Sequence, residues 1–146
     1  LNIECKDAIN ISDFVKQLQI ASKDLIYLSN YGFTQSVKNL MIDTFKNMDK
    51  TKRPVHCTNK RNKTIYVKDS NIWSKDKEYN KIKNVIQQIH NKELNSLIKY
   101  IDSKDEHYFD EEENTVEKNN MIIKLTTYNK DNAIKDIIKQ ITQFEI

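Results

Sequence analysis

A chain of 146 residues is the length of one domain and can bury a core without disulfides or metal. Apolar residues make up 38% and charged residues 31%, which is too apolar and too periodic for a disordered chain; no run approaches the roughly 20 apolar residues of a membrane span. One glycine and one proline leave too few breakers for a many-stranded sandwich, so long helices are favoured.

The chain opens at Leu1, with no signal-peptide pattern, and is read as a piece of a longer protein. Residues 1–6 read as a short strand. Ser12 is expected to cap a helix carrying Phe14, Val15 and Leu18. Ser22 is expected to cap a second, carrying Leu25, Ile26 and Leu28 and stopping at Gly32, because glycine tolerates the left-handed conformation that ends helices. Thr34 then caps a longer helix whose Val37, Leu40, Met41, Phe45 and Met48 share one face. At Pro54 the pattern changes from period 3.6 to period 2, since proline disfavours helix at Arg53. Val55–Thr58 and Lys63–Lys68 read as paired strands around a turn at Asn59–Asn62. Val55 and Cys57 fall on one face, as do Ile65 and Val67. A second turn at Asp69–Asn71 leads to a third short strand at Ile72 and Trp73. A long helix from about Lys75 to Ile101 carries Ile82, Val85, Ile86, Ile89, Leu94, Leu97, Ile98 and Ile101 at helical spacing. An acidic linker follows. Met121, Leu125 and Tyr128 favour helix over strand in the next segment, and Ile134, Ile137, Ile138, Ile141 and Phe144 mark a last helix.

The expected fold is therefore α+β: one domain over 1–146, mostly helical, with a central two- or three-stranded antiparallel hairpin sheet, of which a helix-plus-wing arrangement is one form. Its parts are N-terminal helices (1–49), a basic hairpin (50–74), a long helix (75–101), an acidic linker (102–114) and C-terminal helices (115–146).

Charge is the main clue to function. The net charge of +3 hides a strong imbalance. Residues 1–46 are neutral, residues 47–99 hold thirteen basic and five acidic side chains, and residues 100–146 hold six basic and eleven acidic ones. Lys50, Lys52, Arg53, Lys60, Arg61, Lys63 and Lys68 crowd around the hairpin, with only Asp49 and Asp69 at its flanks. Such a hairpin can meet phosphates and release their counterions, while the helix before it offers Gln35, Lys38 and Asn39 to base edges. Lys52, Arg53, Lys60, Arg61, Lys63 and Lys68 are the candidate contacts to DNA or RNA. The competing reading is a solvated lysine-rich surface, ordinary where codon usage favours Lys, Asn and Ile. The acidic run from Asp105 to Glu113 reads as a solvated linker that can fold back on the hairpin or face a basic partner.

Other chemistry is thinly represented. Cys5 and Cys57 are unpatterned and read as free, small buried thiols of a reducing, intracellular compartment. With His56, His90 and His107 they lack the paired spacing of a zinc site, so no metal or cofactor is expected. His90 falls on the long helix's apolar stripe and reads as a satisfied buried or boundary side chain. No Gly-rich phosphate loop or nucleophile setting is present, so no catalytic residue is proposed. Tyr66 and Trp73 beside the basic residues can stack on unpaired bases. Trp73 is read instead as an anchor, covering Ile65 or Val67 and the helix start around Tyr79 and Ile82, with truncation to Ala costing about 3–5 kcal/mol.

Residues 53–69, RPVHCTNKRNKTIYVKD, followed by Trp73 and Lys75-Asp76, resemble a domain of nucleocytoplasmic large DNA viruses, the giant viruses. There it commonly forms the C-terminal half of proteins that often carry an N-terminal two-cysteine, two-histidine zinc finger. Arg53, Pro54, His56, Cys57, Thr58, Thr64, Tyr66, Lys68, Asp69 and Trp73 match the family's run. Asn59 replaces a usual acid, Lys60-Arg61 comes one place early, and Lys63 stands where an acid is frequent. The resemblance covers about residues 37–101. It implies a viral regulatory protein, placed in the host cytoplasm, nucleus or virion, with a nucleic-acid role shared with the absent finger. The alternative is a self-assembly or protein-interaction module, built on the isoleucine stripes of the helices at 75–101 and 131–144.

Overall fold

The computed structural model describes residues 1–143, and Phe144 lies outside them. The chain is α+β: mostly helical, with one three-stranded antiparallel sheet in the order β1-β2-β3. Four short helices come first, α1 (Ile11–Gln17), α2 (Ser22–Tyr31), α3 (Phe33–Lys38) and α4 (Thr44–Asn47), the last two joined by a π-helical turn at Asn39–Asp43. The sheet is β1 (Val55–Asn59), β2 (Thr64–Asp69) and β3 (Ile72–Lys75). Then follow α5 (Asn80–Asp102), α6 (Glu112–Thr126) and α7 (Lys130–Gln143).

Local chemistry explains most boundaries, and not always as expected. Residues 1–6 form turns, not a strand. Ser12, Ser22 and Thr34 sit inside the first turns of α1, α2 and α3, whose N-caps are Asn10, Ala21 and Gly32. In α2 the Asp24 carboxylate reaches back to accept the Ala21 N–H at 2.7 Å, so an acid two residues beyond Ser22 supplies the cap. Gly32 ends α2 and opens α3 at φ +89°, a conformation side chains resist. The acidic stretch is shorter than expected because α6 already begins at Glu112. Glu112 and Glu113 occupy its first turn, where the helix dipole favours acids.

Alternation along the strands divides the sheet. Val55 pairs with Val67 and Cys57 with Ile65, and Val55, Ile65 and Val67 are buried in the core. That core is one cluster running from Ile11 on α1 to Ile141 on α7, including the Phe14 and Phe45 rings with centroids 4.7 Å apart. Ile82, Ile86 and Ile89 of α5 and Ile137 and Ile141 of α7 are wholly enclosed within the chain. Beyond Ile89 the inward face of α5 passes to Glu93 and Leu97, and Leu94 and Ile98 turn outward.

The opposite sheet face carries His56, Lys68 and Trp73, and it grips the N-terminal segment. The Lys68 ammonium donates to the Lys6 and Ala8 carbonyls at 2.7 and 2.6 Å. The Trp73 indole N–H donates to the Cys5 carbonyl at 3.1 Å, and the Cys5 Sγ lies 3.6 Å from His56 Nε2. Trp73 is therefore a half-buried anchor, but for residues 5–8 and not for the start of α5. Its pairing with Lys68 puts it on the face away from Ile65 and Val67. Both cysteines are free, Cys5 buried and Cys57 half-buried.

Candidate nucleic-acid interface

The hairpin turn is built by side-chain and backbone chemistry that needs no glycine. Asn59 Oδ1 accepts the Asn62 N–H at 3.0 Å, and Lys63 closes the turn at φ +53°. Lys60, Arg61 and Lys63 project from it, all exposed. The next turn has both Ser70 and Asn71 at positive φ, the two-residue type I′ geometry that matches strand twist. Asn71 is tied to Asn10 by two hydrogen bonds, 2.9 and 3.1 Å, which fix the sheet against α1.

Ahead of β1, Lys50–Lys52 form a single 3-10 turn with Lys50 and Lys52 exposed. Asp49 opens it. Its carboxylate accepts the Thr51 N–H and hydroxyl at 3.1 and 3.0 Å, and these bonds hold its pKa below the ordinary value. Arg53 is half-buried, and its Nε is enclosed without a hydrogen-bond partner among the described residues.

Of the six candidate contacts, Lys52, Lys60, Arg61 and Lys63 stand in solvent and Arg53 is partly enclosed. Lys68 is withdrawn altogether. It is 6% exposed and its ammonium is engaged by two carbonyls, so it is a clasp for the N-terminal segment and not a phosphate contact. His56, on the same face, is also buried; loss of solvent lowers its pKa and favours the neutral ring. α7 packs against α3 and brings Asp136 to 4.0 Å from Lys38. Gln35 and Asn39 are exposed.

Sequence reasoning missed the surface beside the hairpin. A groove of about 550 Å³ runs between the hairpin tip, the start of α5 and α7, lined by Lys63, Tyr79, Lys83, Asp131, Ile134, Lys135, Asp136, Ile138 and Lys139. None of its four lysines forms an ion pair among the described residues. The Tyr79 hydroxyl donates to the Lys63 carbonyl at 2.8 Å, which ties the groove wall to the turn. Burial raises the Tyr79 pKa, with Cys57 and Asp76 adding to it, so the phenol stays protonated. Glu78 and Tyr79 both take left-handed φ, 54° and 58°. That reversal lets the buried Asp76 carboxylate accept the Lys81 and Ile82 N–H groups at 2.8 and 3.0 Å and so begin α5. No local signal in the sequence marks Lys83, Lys135 and Lys139 as neighbours of Lys63. Only the docking of α7 beside the hairpin assembles them.

No family model, curated protein or solved structure matches the chain. Nothing found supports the giant-virus resemblance read over about residues 37–101, whose matching residues lie between Arg53 and Asp76. Several of them are occupied structurally: His56, Lys68 and Trp73 face the N-terminal segment, and Asp76 caps α5.

The acidic stretch lies at the opposite end of α5. Tyr100, in the last turn of α5, hydrogen-bonds Tyr108 and Glu117, whereas Tyr79, just before the first turn, bonds the hairpin. Folding back of the acidic stretch onto the hairpin is therefore ruled out within one chain. Among the described residues no three His, Cys, Asp or Glu side chains group to hold a metal ion, and no helix is long and apolar enough to cross a membrane.

Proposed function

We propose that this is a non-enzymatic nucleic-acid-binding domain of a giant-virus regulatory protein, with the basic hairpin contacting phosphates. The observation that carries the reading is the hairpin turn. Lys60, Arg61 and Lys63 are exposed together at its tip, and no acidic residue occurs between Asp49 and Asp69. A rigid turn presenting three cations suits a polyanion, because each phosphate contact releases condensed counterions. Lys50 and Lys52 extend the same charge towards β1. The self-assembly alternative keeps only the outward end of its stripes: Ile82, Ile86, Ile89 and the α7 isoleucines are enclosed within one chain, while Leu94 and Ile98 on α5 stay exposed.

The test is a salt series on a fluorescently labelled duplex, read by anisotropy. Binding at about 50 mM salt should weaken steeply by about 200 mM, and Lys60→Ala/Arg61→Ala/Lys63→Ala should reduce the log–log salt slope by about 2–3. No binding at the lower salt, or binding indifferent to both salt and the substitutions, removes the proposal.

A further inference from the structure

We propose that the groove between the hairpin and α7 seats one unpaired nucleotide of a bound strand, so that the domain prefers single-stranded over duplex nucleic acid. This rests on the nucleic-acid reading above and specifies its substrate class.

The argument starts from the lining. The apolar part is the half-buried Tyr79 ring beside the largely buried Ile134 and Ile138, and the lysines come from both sides: Lys63 and Lys83 from the hairpin and α5, Lys135 and Lys139 from α7. A volume of about 550 Å³ falls in the range of small-ligand sites. A bare phosphate would use the lysines and leave the apolar surface wet. A duplex keeps its bases stacked and is too wide to enter a groove of this volume, so its phosphates meet the turn and not the groove lysines. An unpaired nucleotide uses both, with the base against the Tyr79 ring and the phosphate between the lysines.

Two further features favour this occupant. Tyr79 is held by its hydrogen bond to the Lys63 carbonyl, so a flat surface stands ready beside the tip of the hairpin. Four lysines oppose only Asp131 and Asp136, and Asp136 also approaches Lys38, at 4.0 Å. The groove therefore keeps a positive balance suited to a phosphodiester. Because Lys63 belongs to both the turn and the groove, a strand crossing the turn can enter the groove without leaving the cationic surface.

The experiment compares labelled oligo-dT and oligo-rU with a hairpin duplex of similar length, by anisotropy at fixed salt. The wild-type chain should bind the single strands more tightly than the duplex. Lys135→Ala/Lys139→Ala and, separately, Tyr79→Leu should each weaken single-strand binding about tenfold while changing duplex binding by less than about twofold. Tyr79→Phe keeps the ring and should retain the preference. Thermal melts check that the variants fold; Lys135 and Lys139 are exposed, so that pair reports on the groove even if Tyr79→Leu destabilises the chain. If the groove variants leave single-strand binding unchanged, or weaken both probes equally, the groove proposal is overturned while the hairpin reading stands on its own substitutions. If the wild-type chain binds neither probe, both fall.

Discussion

Glu93 is a carboxylate in the wrong place, and its cost can be measured. It has no exposed surface, and its side chain points from α5 into the core. The Ser36 hydroxyl of α3 donates to Oε1 at 2.5 Å, while Oε2 is enclosed with no hydrogen-bond partner among the described residues. Burial pushes the carboxyl up from 4.5 to about 7; the Ser36 bond opposes the rise and the Asp24 carboxylate on α2 adds to it. The acid is therefore held neutral in the fold and free to ionise in the unfolded chain. Between about pH 4.5 and 7 the native state binds the extra proton, so stability falls as pH rises through that window and levels off above it. A shift from 4.5 to about 7 corresponds to about 3 kcal/mol. Glu93→Gln removes the titration but still leaves one buried polar atom without a partner, so its absolute stability is not the informative quantity. The informative quantity is how the gap between variant and wild type changes with pH. Thermal or urea melts at about pH 5 and pH 8 should show the gap moving by about 2–3 kcal/mol in favour of Gln, or roughly 10 °C in Tm. Every other titrating group is common to the two proteins and cancels. If the gap is the same at both pH values, Glu93 does not ionise against its surroundings and the reasoning fails.

Lys68→Met keeps the aliphatic stem but removes the two bonds to the Lys6 and Ala8 carbonyls. It should lower stability by about 2–3 kcal/mol in urea melts while leaving the salt slope of nucleic-acid binding unchanged; a reduced slope with normal stability would return Lys68 to the interface. Lys63→Gly relieves a left-handed lysine at φ +53°. It should raise stability by up to about 1 kcal/mol in the same melts and weaken binding in the anisotropy assay, so the two readouts move in opposite directions.

How legible each feature was depends on the distance over which its cause acts. The hairpin was readable because Pro54 and strict alternation act within a few residues, and the core faces of Val55, Ile65 and Val67 followed directly. The same alternation puts Lys68 and Trp73 on the face of His56. It cannot say that residues 5–8 cover that face, and so on sequence alone Lys68 reads as a solvent cation and Trp73 as a support of α5. Glu93 lay within reach: it is four residues from both Ile89 and Leu97, the inward spacing of α5, and an acid at such a position is the informative exception. The first caps were misplaced because Ser12, Ser22 and Thr34 are attractive N-cap residues that happen to fall just inside their helices. The groove was beyond sequence reading, since Lys63 and Lys139 are brought together only by α7 packing beside β1.

The charge layout is easier to explain by encounter than by stability. α5 has 23 residues and so spans about 35 Å. At its start stand the hairpin cations with Lys81 and Lys83; at its end stand Asp102, Asp105, Glu106 and the acids from Asp110 to Glu113. A helix dipole favours acids at its N-terminus and bases at its C-terminus, so these groups oppose it at both ends, apart from Lys99 in the last turn. The buried Asp76 carboxylate offsets part of the cost by accepting two N–H groups of the first turn. Local helix energetics therefore do not account for the arrangement. On the proposed nucleic-acid reading, a chain with net charge of only +3 but strongly cationic at one end and anionic at the other would be turned by a polyanion's field before contact, the acidic end facing away. The end turned towards the polyanion carries Lys60, Arg61 and Lys63, with the groove opening beside them.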